Sequence, residues 1–197
     1  MGHDDTERTM TKWLLTLAAI GMATSARADD WYAKAVKAVT LAVEPASAGP
    51  GQVVAVKLTV SLNDTYHTYP TVQPDRNAKE QVCTIALPPG DADGLIFVGS
   101  LKQPPNPSKK AEPLLGIREL HTYAGDLTFV HNAVVSPKAK AGAKAVKLTK
   151  FSLLVCDDAN CYPAKALTPE AKWTANDAPA VAVPEEHRKA VEAIIGK

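Results

Sequence analysis

Apolar residues fall on every second position through much of this chain, the spacing of strands that bury one face. Val39, Leu41 and Val43 begin the pattern, and Glu44-Pro45 ends it. The segment Ser47-Ala48-Gly49-Pro50-Gly51 then reads as a turn. The clearest run is Val54, Val56, Leu58, Val60 and Leu62, with Lys57, Thr59 and Ser61 facing the other way. Asn63-Asp64 turns the chain into Tyr66-His67-Thr68-Tyr69-Pro70. Further strands are expected over residues 82–87, 95–98 and 127–135. The last long one carries Val146, Leu148, Phe151, Leu153 and Val155 and leads into Cys156. Ala166-Leu167 and Lys172-Trp173-Thr174 suggest one more edge strand.

Turn signals recur about every ten residues, no repeat is present, and no helical periodicity precedes the C-terminus. That combination predicts an all-β domain, an immunoglobulin-like antiparallel β-sandwich with a short C-terminal helix. Residues 103–113 hold Pro104, Pro105, Pro107 and Pro113 and are expected to form a long loop. Residues 138–147, rich in Ala and Lys around Gly142, read as a solvated turn. Pro184 opens the helix, expected over residues 185–195, with Ala190, Val191 and Ile194 on its apolar side.

The N-terminus departs from this pattern. Lys12 precedes the apolar run WLLTLAAIGM (residues 13–22), and Ala26-Arg27-Ala28 follows. A cation, about ten apolar residues and a small-x-small site make an export signal. The run is too short to span a bilayer, which takes about twenty. The expected organisation is a signal peptide over 1–28, a sandwich over 29–175, and a linker with the helix over 176–197. Export implies the periplasm, an oxidising compartment where disulfides persist. Lys and Arg number 22 against 21 acids, a net charge of +1, with no basic stripe. Nucleic acid is therefore excluded as a partner.

Of three cysteines, Cys83 shares the alternation of Ile85 and Leu87 and is expected to be a buried thiol, with a reactive or partner-linking role as the alternative. Cys156 and Cys161 flank four turn-forming residues, Asp157-Asp158-Ala159-Asn160. If the flanks are antiparallel strands, the two cysteines face each other across a hairpin at about 4.5–5.5 Å, a spacing a disulfide tolerates. Closing so short a loop stabilises by only about 2 kcal/mol, less than half the yield of a hundred-residue loop. A bond at a hairpin tip suits exchange better than stapling. A metal site is less well supplied, because no second Cys/His pair sits at ligand spacing and His67, His121 and His131 are scattered. No cofactor or metal is expected.

The run Cys156-Asp157-Asp158-Ala159-Asn160-Cys161-Tyr162-Pro163 resembles the active-site segment of the N-terminal periplasmic domain of the DsbD thiol–disulfide interchange proteins. Asp64-Thr65-Tyr66-His67-Thr68-Tyr69-Pro70 is similar to that family's aromatic-His-x-Tyr-Pro segment. Leu115-Gly116 through Tyr123-Ala124-Gly125 is similar to its loop-then-strand. The likeness runs from about Leu41 to Trp173. It implies that His67 and Tyr69 line the site and that a cap loop at Leu114-Leu115-Gly116 shields the disulfide. It also implies that Cys161 forms the mixed disulfide with partners and that Cys156 resolves it. No Cys-x-x-Cys and no membrane domain follow within these 197 residues. The electron donor is therefore expected to be another protein, thioredoxin-like or membrane-bound, and the acceptors exported thiol proteins. Asp157 and Asp158 beside Cys156 disfavour its thiolate; as ordinary turn formers they also need no further role. The expected function is a thiol–disulfide relay module rather than an enzyme with a small-molecule substrate. The rivals are an exported binding or assembly domain with a structural disulfide, and a periplasmic metallochaperone.

Overall fold

The computed structural model describes residues 30–196. The expected signal peptide lies outside the described residues. A short helix α1 (Asp30–Ala35) leads into β1 (Val36–Glu44), β2 (Ser47–Ala48), β3 (Val53–Leu62) and β4 (His67–Thr68). Next come β5 (Thr84–Ala86), β6 (Asp91–Ala92), β7 (Leu95–Lys102) and β8 (Ser108–Glu112). The chain continues through β9 (Ile117–Ala124), β10 (Asp126–Val135), β11 (Gly142–Lys147) and β12 (Lys150–Leu153). It closes with β13 (Val155–Cys156), β14 (Lys165–Leu167), β15 (Glu170–Ala175) and helix α2 (Glu185–Ile195).

The result is an antiparallel β-sandwich. One layer is the sheet β1-β3-β10-β7-β6. The other is built from three smaller sheets, β11-β15-β2, β14-β12-β5 and β13-β4-β9-β8. The alternation on β3 buries Val54, Val56, Leu58, Val60 and Leu62, and β10 adds Leu127 and Phe129. They share one core with Val146, Phe151, Leu153, Val155 and Trp173 from the second layer. On β10, Ala133, Val134 and Val135 are all buried in succession. Alternation lapses there because α2 covers the outer face, where Val191 packs with Ile96, Val98 and Val134.

Several expectations change. Residues 103–113 are not one long loop: after the prolines, Ser108–Glu112 pairs with β9 as the edge of its sheet. An edge strand tolerates the flanking prolines because half its backbone groups face solvent. The expected long strand over residues 146–155 is three strands, β11, β12 and β13, in three different sheets. The solvated turn at residues 138–147 gives way at Gly142 to β11, which pairs with β15. The single expected edge strand after the cysteines is two strands, and β15 lies inside its sheet, between β11 and β2. The turn before β3 contains β2, joined in parallel to β15. Helix α2 has the expected bounds.

Candidate functional site

The small sheet β13-β4-β9-β8 positions the cysteines. Val155 pairs with Thr68 and Cys156 with His67, and these in turn face Tyr123 and Ala124 on β9. Successive side chains on a strand point to opposite faces. His67 and Tyr69 therefore share the face of Cys156, and Thr68 turns the other way into the core. There Thr68 Oγ1 donates to the Leu154 carbonyl at 2.6 Å and lies 3.1 Å from Cys83 Sγ. Cys83 is free and 1% exposed, as the pattern of its neighbours predicted.

Cys156 and Cys161 form a disulfide across an antiparallel bridge, with Cα atoms 4.0 Å apart, slightly closer than the expected cross-strand spacing. The turn between them is closed by backbone bonds from Asp157 to Asn160 (2.9 Å) and from Tyr162 to Val155 (3.0 Å). The Asp157 carboxylate holds the loop from inside. It accepts from the backbone N–H groups of Ala159 (2.8 Å) and Asn160 (2.7 Å), and from the Tyr162 hydroxyl at 2.6 Å. These bonds, the tyrosine first, lower the Asp157 pKa, while the same contact pushes Tyr162 up to about 12. Asp158 is exposed. Asp157 thus has a constructive role in the turn, the plainer of its two readings.

The two sulfurs sit in unlike surroundings. Cys156 is 1% exposed and packs with Tyr69, Ala78, Ile117, Leu120 and Leu154. Cys161 lies on the exposed side of the hairpin. The Tyr69 hydroxyl reaches both, donating to Cys156 Sγ at 3.0 Å and lying 3.7 Å from Cys161 Sγ. It is also 3.4 Å from His67 Nε2. Burial, then the charges of Glu112 and Cys83, raise Tyr69 to about 12. Burial chiefly, and then Lys110, lower the pKa of His67 against the opposing carboxylates of Asp158, Asp157 and Glu112.

A cavity of about 280 Å³ opens beside the disulfide, lined among others by His67, Tyr69, Gln81, Lys110, Leu115 and Cys161. Leu115 reaches it from the short turn between β8 and β9 but stays 62% exposed. Leu114 is fully exposed and covers nothing. The expected two-leucine cap is thus reduced to one residue at the rim. The sequence reading also missed Gln81, Lys110 and Glu112. Lys110 and Glu112, an ion pair at 2.8 Å, sit on the strand read as loop, where the prolines hid the pattern. Gln81 carries a buried Oε1 with no hydrogen-bond partner among the described residues.

A second group of residues braces the hairpin from its far side. Trp31 of α1 stacks on Tyr162, with centroids 5.2 Å apart and planes within 6°. Tyr66 tilts against Tyr162 at 6.3 Å, and Lys165 Nζ stands 4.5 Å over the Tyr32 ring. The Trp31-Tyr32 pair, two aromatics just beyond the expected cleavage site, was the available signal for this contact. His121 and His131 are remote in role: His121 pairs with Glu119 at 2.6 Å, and His131 Nδ1 lies 2.9 Å from the Asn132 carbonyl. Among the described residues, no helix is long and apolar enough to cross a membrane.

No known family and no curated protein matches this sequence. Solved structures resemble it distantly. A chain from the aggregative adherence fimbriae of enteroaggregative Escherichia coli is 11% identical, with a TM-score of 0.29, over 70% of this chain and 97% of the other. A family 123 glycoside hydrolase from Clostridium perfringens is 14% identical, with a TM-score of 0.26, over 70% of this chain and 23% of the other. Neither carries an argument about function.

Proposed function

We propose that this protein is a periplasmic thiol–disulfide interchange module that relays electrons through Cys156 and Cys161. The observation that carries the reading is the asymmetry of the pair: Cys161 is exposed at a hairpin tip and Cys156 is buried behind it. An incoming thiolate attacks the sulfur it can reach, and the other sulfur leaves. With a dithiol partner the cycle balances. The partner's thiolate bonds to Cys161 Sγ, the disulfide breaks, and Cys156 takes the electron pair. The partner's second thiolate then displaces Cys161, leaving the partner oxidised and this protein reduced. The reverse sequence delivers the electrons to an exported disulfide.

The cysteine segment's likeness to the DsbD periplasmic domain supports the same reading. That likeness points to a thioredoxin-like or membrane-bound donor and exported thiol proteins as acceptors. The small yield of the bond as a staple, about 2 kcal/mol for a loop this short, favours the interchange reading as well.

The rival is a structural disulfide in an exported binding or assembly domain. Equilibration of the pair against defined thiol buffers separates them. A potential between about −120 and −270 mV, where thioredoxin-like exchangers work, is expected for a relay; a value below about −300 mV marks a structural bond and overturns it.

A further inference from the structure

Resting on the interchange reading above, we propose that Tyr69 is a catalytic residue whose hydroxyl stabilises the Cys156 thiolate as it leaves during attack on Cys161. The problem it solves is set by burial. The leaving sulfur belongs to Cys156, which is 1% exposed and surrounded by Ala78, Ile117, Leu120 and Leu154. A negative charge formed there loses its hydration, and desolvation disfavours a thiolate. The Asp157 carboxylate one residue away adds repulsion, and its three hydrogen bonds keep it ionised. Among the described residues, the one side-chain donor bonded to Cys156 Sγ is the Tyr69 hydroxyl, at 3.0 Å.

The geometry favours the state with negative charge on Cys156 over the starting one. A disulfide sulfur is a weak acceptor, so the bond contributes little before reaction. A thiolate is a charged acceptor, and hydrogen bonds to charged groups are roughly twice as strong as neutral ones. The contact therefore strengthens as charge moves onto Cys156, which is the condition for acceleration. The partner's thiolate forms the new bond to Cys161 Sγ. The old S–S bond gives its electron pair to Cys156 Sγ. The Tyr69 proton stays on oxygen and turns fully toward that sulfur, since a phenol raised to about 12 is too weak an acid to surrender it. The second contact, at 3.7 Å to Cys161 Sγ, keeps the hydroxyl on the scissile bond, and His67 Nε2 at 3.4 Å is its alternative partner before reaction.

The test is the rate at which dithiothreitol reduces the oxidised full-length protein at fixed pH. Tyr69→Phe keeps the buried ring and removes only the donor. It is expected to slow reduction about tenfold or more, the scale of a lost hydrogen bond to a charged group. A rate within twofold of the parent overturns the proposal. Because a buried substitution can also damage packing, a second variant moves the rate the other way. Fluorotyrosine placed at position 69 is a more acidic donor of nearly the same shape and is expected to speed reduction; an unchanged or slower rate overturns the proposal. In a Cys161→Ala background, ultraviolet titration of the Cys156 thiolate is expected to show its pKa rise by about one unit or more when Tyr69→Phe is added. An unmoved titration counts against it. The relay reading fails separately, by the potential of the parent protein, so a Tyr69→Phe result is interpretable whichever way that measurement falls.

Discussion

The Trp31 indole lies flat on the Tyr162 ring, 5.2 Å between centroids, and so ties helix α1 to the residue that follows Cys161. Tyr162 in turn bonds Asp157 at the start of the loop. Aromatic pairs of this kind contribute about 0.5–1.5 kcal/mol beyond the area they bury. Trp31→Ala is expected to destabilise the domain by about 1 kcal/mol in urea unfolding. It is also expected to speed amide exchange at residues 157–162 more than in β3. Equal protection of the hairpin in both proteins would show that α1 does not brace it.

The two cysteines should trap partners asymmetrically. Cys156→Ala leaves the exposed Cys161 thiol with no resolving neighbour, and is expected to accumulate a mixed disulfide with a thioredoxin-like protein. Cys161→Ala leaves only the buried thiol and is expected to trap far less. Non-reducing gels of the two variants incubated with a thioredoxin-like protein that lacks its resolving cysteine, its remaining thiol activated as a mixed disulfide with thionitrobenzoate, decide it: the variant's thiolate bonds to the partner sulfur and thionitrobenzoate leaves. The reversed pattern reassigns the roles, and no trapping by either favours the structural disulfide.

The rim residues should differ in effect. Leu114 is wholly exposed, so Leu114→Ala is expected to leave the dithiothreitol rate within twofold of the parent. Leu115 lines the cavity beside the disulfide, so Leu115→Ala is expected to raise that rate a few-fold. Equal effects of the two changes would contradict this division.

Asp157 links the loop to pH. Its pKa is depressed in the folded state by the Tyr162 hydroxyl and by the Ala159 and Asn160 N–H groups. A depressed carboxylate contributes stability that is complete above its unfolded value of about 3.9 and is lost as pH falls through the folded value. The stability difference between the parent and Asp157→Asn is therefore expected to be flat from pH 7 to 5 and to shrink below about pH 4. Chemical unfolding across that range measures it. A difference that grows on acidification would give the wrong sign.

Cys83 should be inert. At 1% exposure behind Thr68, it is expected to resist iodoacetamide in the folded protein and to react only on unfolding. Mass spectrometry after brief alkylation checks this, and rapid native labelling would reopen a reactive role.

Much of the fold can be read from the chain where one face of a strand is buried and the other wet. Residues 54–62 alternate without a break, and their strand lies inside the five-stranded sheet, between β1 and β10. The cysteine hairpin was equally legible, because five residues of separation and a run of turn formers leave few other conformations. The strand Ser108–Glu112 was not. Four of its residues are exposed, and an edge strand without a buried face has no alternation to display. Its identity comes from pairing with Ile117–Ala124, a relation between segments.

By itself, then, the sequence determined a β-sandwich, a cysteine pair at a hairpin tip and a buried third thiol, since each follows from local period or spacing. Tertiary structure decided the contacts around that pair, where only the family resemblance had placed His67 and Tyr69. Tyr69 comes within 3.0 Å of Cys156 because the two-residue strand His67–Thr68 pairs with Val155–Cys156. Lys110 and Gln81 reach the cavity from segments that show no pattern toward it. Hydrophobic periodicity reports which face of an element is buried; it carries no information about which distant element comes to lie against that face.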